Sequence, residues 1–490
     1  MSSRALSVAA VLVAAGAFAS TPPEVNGYVD SRSQATHANV TGVLPTQDVP
    51  QLDELIEANV QLKHRYAEKG FVYGDVSLFG QFAGNYRSVD ADGHVIVVPD
   101  HHVPANDPLV SLSELYVSHD LKDEWNFLVG KKRIVWGPGF SFNPTDLINP
   151  PKDPTDPTFQ RAGAWMGRVE WTLPKYTFTL LGSPAVTEQT NGLPYAFLYY
   201  PKWDRKDDQA HYQLAARAYA LIADSDVNLM LFYGNRYADA DPVRDRLRAG
   251  ASFSRVFFTD YEVHAEALFQ RGTSRTYANG ACVSDVGALF ECLAQKIPLQ
   301  SRSRINDHTF FPRVLGGVRK QFEDESMLSV EYLYQSDGFT RAEFEQFVRV
   351  LAFASRANPT AVSGAAQSAT QNNDVGVPQK FTFLPLVKHY AFITFQKPRI
   401  HDDWTVSATL IENLQDLSGM ITPALSWQPE EWLQLTMTLF VPFPGPAELA
   451  ATIPAVNVPQ LGIDSSEQLV TEYGLLPFDF RAVLSVRAYY

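Results

Sequence analysis

The sequence predicts an all-β fold, a single antiparallel β-barrel of about 18 strands that crosses a membrane, with 16 strands as the alternative count. Three observations lead there. Segments of about 10 to 15 residues alternate apolar and polar side chains with a period of two. The connections between them alternate short and long. The last segment is amphipathic and ends on an aromatic residue.

Composition fits that class and removes others. Of the 490 residues 45% are hydrophobic and 12% aromatic, against 19% charged, so intrinsic disorder is excluded. The 54 acidic side chains outnumber the 40 basic ones, a formal net charge of -14, which argues against a nucleic-acid partner because phosphate binding needs a basic footprint. No Gly/Ser/Pro linker or shift of composition divides the chain, so residues 20–490 read as one architecture rather than several soluble domains.

Taken in order, residues 1–19 read as a cleaved signal peptide. Met1 to Arg4 is a short positive region, Ala5 to Gly16 is apolar, and Ala17-Phe18-Ala19 supplies small residues at a cleavage site. That apolar run falls short of the roughly 20 residues a spanning helix needs, and no later run is long enough. A first strand is expected near 26–33. Hairpins follow near 56–66/71–85, 110–121/124–137, 164–174/176–186, 210–223/227–236, 245–258/261–272, 311–323/326–338, 386–400/404–414 and 418–428/431–443, and a last strand at 478–490. In 164–173 one parity carries Trp165, Gly167, Val169, Trp171 and Leu173, and the other Met166, Arg168, Glu170 and Thr172. Between Ala216 and Arg217 the pattern suggests a slip of one residue, and a bulge is expected there.

Alternation alone suits a soluble sandwich as well as a membrane barrel. Connection length separates them. Short acidic turns such as Asp224-Ser225-Asp226, Glu323-Asp324-Glu325 and His401-Asp402-Asp403 interleave with mostly long segments, notably 138–163, 273–307, 339–385 and 446–476. Tight periplasmic turns and long external loops are how outer-membrane barrels are built, so the expected location is the outer membrane of a Gram-negative cell. The final strand, ending Val486-Arg487-Ala488-Tyr489-Tyr490, resembles the insertion signal of bacterial outer-membrane barrel proteins, in which the last residue is most often Phe. The resemblance implies the barrel-assembly machinery and outer-membrane lipids as partners.

If the apolar parity faces lipid, the other faces the lumen. Arg168, Arg217, Arg246, Arg248, Arg313, Arg319, Arg481 and Arg487 then line the pore, with Glu170, Glu262, Glu266, Glu331 and Asp479 among them. A wall of one charge sign concentrates counter-ions, and guanidinium forks match carboxylates and phosphates, so one reading is a conduit for anionic solutes or an anionic glycan. The other is that Arg and Glu on neighbouring strands form ladders that brace the barrel.

Gly130-Lys131-Lys132-Arg133-Ile134-Val135-Trp136-Gly137-Pro138-Gly139 leads into a proline-rich stretch that runs to Pro157. Six prolines there make a stiff loop, which either folds inward as a constriction or packs on the rim. The same stretch carries a family resemblance. Gly-Lys-Lys-x-x-x-Trp-Gly followed by Asn143-Pro144 resembles the Gly-Arg-Gln-x-x-x-Trp-Gly strand end of Gram-negative outer-membrane barrels, with Lys131, Lys132, Arg133, Trp136 and Gly137 as the matching positions. Trp-Gly-Pro-Gly is similar to the capsule-assembly barrels, and the Arg-rich 18-strand design resembles the alginate-export barrels. The resemblance implies secretion or surface attachment of an exopolysaccharide, with acidic polysaccharide and periplasmic export components as partners. The parity set by Trp125, Phe127 and Val129 runs into Lys131 and Arg133, so a bulge is expected without a definite place.

Cys282 and Cys292 fall in one long loop and are expected to form a disulfide in an exported chain. No metal site is expected, because no His lies near them with ligand spacing. His264 between Glu262 and Glu266 is the best local grouping for acid–base chemistry, but alternating Glu-His-Glu reads more simply as a polar ladder, and no nucleophile, zinc or phosphate-loop motif occurs. No catalytic residues or cofactor are expected. The functional expectation is an outer-membrane channel, foremost for secretion of an anionic exopolysaccharide. Uptake of small anionic nutrients, and a plugged barrel that anchors surface glycan, are the alternatives.

Overall fold

A computed structural model describes residues 22–39, 52–83, 109–149, 163–184, 212–234, 246–273, 309–356 and 386–453 and most of 456–490, with short pieces of the connections between them. The expected signal peptide, residues 1–19, lies outside the described residues. The barrel strands are β1 (Glu24–Ala38), β2 (Leu52–Ala67), β3 (Gly70–Ala83), β4 (Leu109–Leu121), β5 (Trp125–Lys132), β6 (Ala164–Thr172), β7 (Tyr176–Pro184), β8 (Tyr212–Ile222) and β9 (Ser225–Gly234). They continue as β10 (Arg246–Phe257), β11 (Tyr261–Arg271), β12 (Phe310–Gln321), β13 (Met327–Gln335), β14 (His389–Ile400), β15 (Trp404–Asn413), β16 (Ser418–Glu430), β17 (Leu433–Phe443) and β18 (Phe478–Tyr489). All 18 pair antiparallel with their chain neighbours, and β18 returns to β1, so the sheet is closed.

The outward parity is what a lipid solvent requires. Val129, Leu180, Leu229 and Leu247 are 62% or more exposed, and each sits at alternate positions beside other exposed apolar side chains. Leaving such residues in water costs about 1.5–3 kcal/mol each, so a continuous belt of them belongs in a membrane. Toward the short turns the belt is edged by stacked rings, with Trp125 and Trp171 centroids 5.6 Å apart, Trp171 and Phe178 5.6 Å apart, and Trp404 and Trp427 5.6 Å apart. Amphipathic rings settle at the interface between hydrocarbon and headgroups. The architecture is that of an outer-membrane barrel, whose short turns face the periplasm.

The turns are as tight as their residues permit. Ala223 and Asp224 link paired Ile222 and Ser225 with φ of 49° and 59°, the left-handed pair that matches strand twist. The register of β8 with β9 runs unbroken from Gln213–Gly234 to Ile222–Ser225. The slip expected at Ala216 and Arg217 is therefore absent. Ala216 continues the outward parity and Arg217 the inward one, and the alanines had blurred the apolar contrast.

Where the first and last strands meet, inward charges lock the seam. The fully buried Asp30 carboxylate accepts hydrogen bonds from Arg32 Nε (2.8 Å), Arg487 Nη2 (2.7 Å) and Ser485 Oγ (2.6 Å). Arg32 also donates to Glu57 Oε2 on β2 (3.0 Å), and Tyr490 extends the pairing through its hydroxyl to the Asn59 carbonyl (2.8 Å). Removing one partner of a buried pair strands the others. Because the arginines keep 22% and 28% side-chain exposure, Asp30→Ala is expected to cost about 2 kcal/mol, below the full buried-pair range. Urea unfolding in lipid vesicles measures it, and a loss under about 0.5 kcal/mol would mean that backbone pairing alone holds the seam.

Among the described residues, two apolar cores lie inside the barrel. One joins Ile134, Trp136 and Ile148 to Leu128, Met166, Leu181, Ala215 and Phe232 of the wall. The other gathers helix α1 (Arg341–Arg356) and the segments around Ala451 and Tyr473 against Leu315, Leu333, Tyr390, Phe392 and Ile411. The helix begins on a reciprocal cap, in which Thr340 N–H donates to Glu343 Oε2 (2.8 Å) and Glu343 N–H donates to the Thr340 hydroxyl oxygen (3.3 Å). The disulfide between Cys282 and Cys292 is formed in the connection before β12.

Candidate functional site

The long connection after β5 does not stay on the rim. Gly130 takes φ 136° just before the strand ends, and from Arg133 to Asn149 the chain runs across the interior. Trp136 packs on Phe232 of β9 (centroids 5.5 Å), and Phe142 reaches Tyr390 (6.2 Å) and Phe392 (6.3 Å) on β14. The sequence left inward and rim positions open, and the described part of the loop is inward.

Two wall carboxylates clasp this segment. Glu266 of β11 accepts from Gly139 N–H (2.7 Å), Thr145 N–H (3.2 Å), the Thr145 hydroxyl (2.7 Å) and Asn143 Nδ2 (3.3 Å). Glu331 of β13 accepts from Phe140 N–H (2.5 Å) and Ser141 N–H (2.8 Å). The loop's buried backbone donors thus find the acceptors a dry interior obliges them to have. Gly137 adopts φ 96°, and a β-carbon there would overlap the Glu266 carboxylate, so glycine lets the backbone approach the wall. At the base, Asn149 receives Ile134 N–H (3.2 Å) and donates to Asp146 (2.8 Å).

The Glu-His-Glu group belongs to this clasp. His264 is buried with Nε2 3.0 Å from Glu331 and Nδ1 3.7 Å from Glu262, while Glu262 also receives Arg319 Nη1 at 3.1 Å. The group orients Glu331 and carries the clasp into the β12 wall.

The sequence-predicted residues divide clearly. Arg168, Arg217, Arg248, Arg313, Arg319, Arg481 and Arg487, with Glu170, Glu262 and Glu266, take the inward parity. The Arg246 side chain lies outside the described residues. Arg313 pairs with buried Asp337 (2.8 Å) just past the end of β13, Arg319 with Glu262 on the neighbouring β11 and Arg487 with Asp30 on the neighbouring β1. Asp479 departs from the lumen assignment: it is exposed at the start of β18, 3.0 Å from His37. In the motif, Lys132 lies over the Tyr116 ring (4.3 Å) and Arg133 N–H donates to Glu114 (2.7 Å). Lys131 holds the outward parity but is fully buried, and Trp136 and Gly137 belong to the inward loop. The register of β5 with β4 and β6 is continuous, so no bulge re-aims the motif. The strand simply ends at Lys132.

Residues that the sequence did not single out complete the interior. Burial would raise the Asp337 carboxyl, but Arg313 and Arg275 override it and hold it at about 2. Glu472 sits beneath the segment after β17, where it accepts from Leu386 N–H (3.0 Å) and from the Tyr390 hydroxyl, while its own N–H donates to Asp416 (2.7 Å). Burial pushes its carboxyl up to about 8. Among the described residues no cluster of His, Cys, Asp and Glu is arranged to hold a metal ion.

No protein-family model matches the sequence, and no curated protein sequence is similar to it. Among solved structures the chain is similar to the outer-membrane channel DcaP of Acinetobacter baumannii, at 10% identity over 96% of this chain and 97% of that one, with a TM-score of 0.37. It is also similar to OccK1 (OpdK) of Pseudomonas aeruginosa, at 7% identity over 96% and 98% of the chains, with a TM-score of 0.48. A third is Wzi of Escherichia coli, a carbohydrate-binding β-barrel involved in group 1 capsule assembly, at 10% identity over 94% and 83%, with a TM-score of 0.42. At such identities the function has to be read from this chain's own residues.

Proposed function

We propose that this protein is an outer-membrane channel for small solutes, anions among them, in which segment 133–149 narrows the passage. The observation that carries the reading is the clasp: a loop anchored on the far wall by Glu266 and Glu331 sits in the lumen by design of its hydrogen bonds. A barrel of this strand number has room for an aqueous channel, so segment 133–149, together with helix α1 and the segments around Ala451 and Tyr473 that also lie inside, sets the size limit. Of the readings open from sequence, uptake of small nutrients is the one that calls for an inward constriction. Secretion of an acidic exopolysaccharide, with its periplasmic export components, calls for a wide basic track instead. It has weaker support, because Arg313, Arg319 and Arg487 are neutralised by Asp337, Glu262 and Asp30. The amphipathic C-terminal strand supports delivery by the barrel-assembly machinery.

The test is reconstitution of the mature protein in a planar bilayer, with liposome swelling on sugars of graded length. Discrete openings and passage of mono- and disaccharides but not long oligosaccharides are expected. Absence of openings would sink the channel reading, and passage of long oligosaccharides would return the polymer conduit.

A further inference from the structure

The outward face of the barrel is apolar on strand after strand. On β9 it shows Val227, Leu229 and Leu231, and on β14 Ile393 and Phe395. The first hairpin departs from this rule. On β1 the inward positions are Asp30, Arg32 and Gln34, so Ser31 and Ser33 face out. On β2 Leu55 and Glu57 are buried on the inner side, and Glu54 stands outside between Leu52, 57% exposed, and Ile56.

These three polar side chains form one patch. The register sets Ser33 beside Glu54 and Ser31 beside Ile56, and the Ser31 hydroxyl donates to Glu54 Oε1 (3.1 Å). On the other side the serines are flanked by Leu484 and Val486 of β18, both exposed. The patch is therefore framed by the apolar side chains that lipid covers. A carboxylate turned toward hydrocarbon is costly, and such groups in a membrane wall are met by other polar groups. Ser31 supplies one hydrogen bond. Among the described residues Glu54 Oε2 and the Ser33 hydroxyl have no partner, and lipid tails offer none.

An unmet acceptor and an unmet donor side by side are complementary to their own image. A two-fold axis along the membrane normal, passing between Ser33 and Glu54, sets the Ser33 hydroxyl of each copy against the Glu54 carboxylate of the other, an isologous contact made twice. The outward residues nearby, Ala35, Ala58 and Ala482, are small, so two curved walls approach closely enough for these side chains to meet. We propose that two copies of this chain pack side by side in the membrane about this axis, joined by reciprocal hydrogen bonds from Ser33 to Glu54. A different membrane protein would account for the carboxylate but not for the unmet donor one strand away from it. The inference rests on the outer wall alone and is independent of what the lumen conducts.

Sedimentation equilibrium of the purified barrel in a neutral detergent measures the association, and a short bismaleimide in phosphatidylcholine vesicles reports which walls meet. Wild type is expected to be a dimer. Ser33→Ala removes only the donor, and because the dimer holds the bond twice its dissociation constant is expected to rise about a hundredfold. Glu54→Gln, which keeps an acceptor and loses the charge, should fall between, and it serves if the alanine variant does not fold. Ala35→Cys is expected to cross-link into dimers, and Ala249→Cys on β10, half-way round the barrel, is not. Cys282 and Cys292 are joined to each other and do not compete. A monomer, a trimer, or cross-linking at Ala249→Cys as efficient as at Ala35→Cys overturns the interface. Equal dissociation constants for wild type, Ser33→Ala and Glu54→Gln overturn the reciprocal bond. Cross-linking of Ala35→Cys only to another protein, in native outer-membrane fragments, overturns the second copy as the occupant.

Discussion

Replacing both Glu266 and Glu331 with alanine is expected to release segment 133–149 and raise single-channel conductance roughly twofold, because the segment then vacates its share of a lumen wide enough for an aqueous channel, while helix α1 stays in place. Glu266→Ala leaves the Gly139 and Thr145 N–H groups without their acceptor, and Glu331→Ala does the same to Phe140 and Ser141. Each stranded buried donor costs about 1–3 kcal/mol unless water reaches it. Against that, the buried rings of Trp136 and Phe142 hold the segment by contacts worth a few kcal/mol each. One lost clasp is comparable to what remains, so each single variant should show noisier current with a modest rise. The loss of both exceeds it. Glu266→Gln keeps a carbonyl acceptor and should lie close to wild type. If the double alanine variant folds and conducts as wild type does, the rings alone hold the segment and the carboxylates are only neighbours.

Most of the architecture was readable because lipid imposes one rule on every strand. Each must show an apolar residue at every second position, so the strand set, the inward parity of Arg168 or Arg319 and the closing strand after residue 477 followed from local pattern. Partnership was not readable in the same way. Gly139 and Glu266 are 127 residues apart, and their contact exists only once strand register and the path of the loop are fixed. The same applies to Asp30, which joins arginines from β1 and β18. Helix α1 is a different case, since it lies within a stretch read only as a long loop. Its signal was local: Thr340 and Glu343 have capping-box spacing, and Phe344, Phe347 and Val348 recur at helical intervals. Strand periodicity on both sides masks that signal.

Barrel stability is expected to fall between about pH 5 and pH 8 through Glu472, and Glu472→Gln should remove that fall. The carboxyl sits among Tyr390, Leu386, Asp416 and Arg275, on the inner side of the segment that covers the second apolar core. Burial is the main cause of its raised value of about 8, and Asp416 adds to it, while the Tyr390 hydroxyl, the Leu386 amide and Arg275 pull the other way. Its Oε2 is buried with no hydrogen-bond partner, which a proton tolerates and a charge does not. The folded value exceeds the ordinary glutamate value of 4.5. The stability attached to the protonated group is therefore fully present below about 4.5 and is lost as pH rises through 8. The loss is on the order of 4 kcal/mol, concentrated on the segment rather than on the strands. Thermal unfolding of wild type and Glu472→Gln from pH 5 to pH 9 measures the difference. The two curves should diverge, with the glutamine variant the more stable above pH 8 and equal or slightly weaker near pH 5. Parallel curves would mean that Glu472 is already ionised in the folded barrel, and that Arg275 and Tyr390 supply enough field to keep it so.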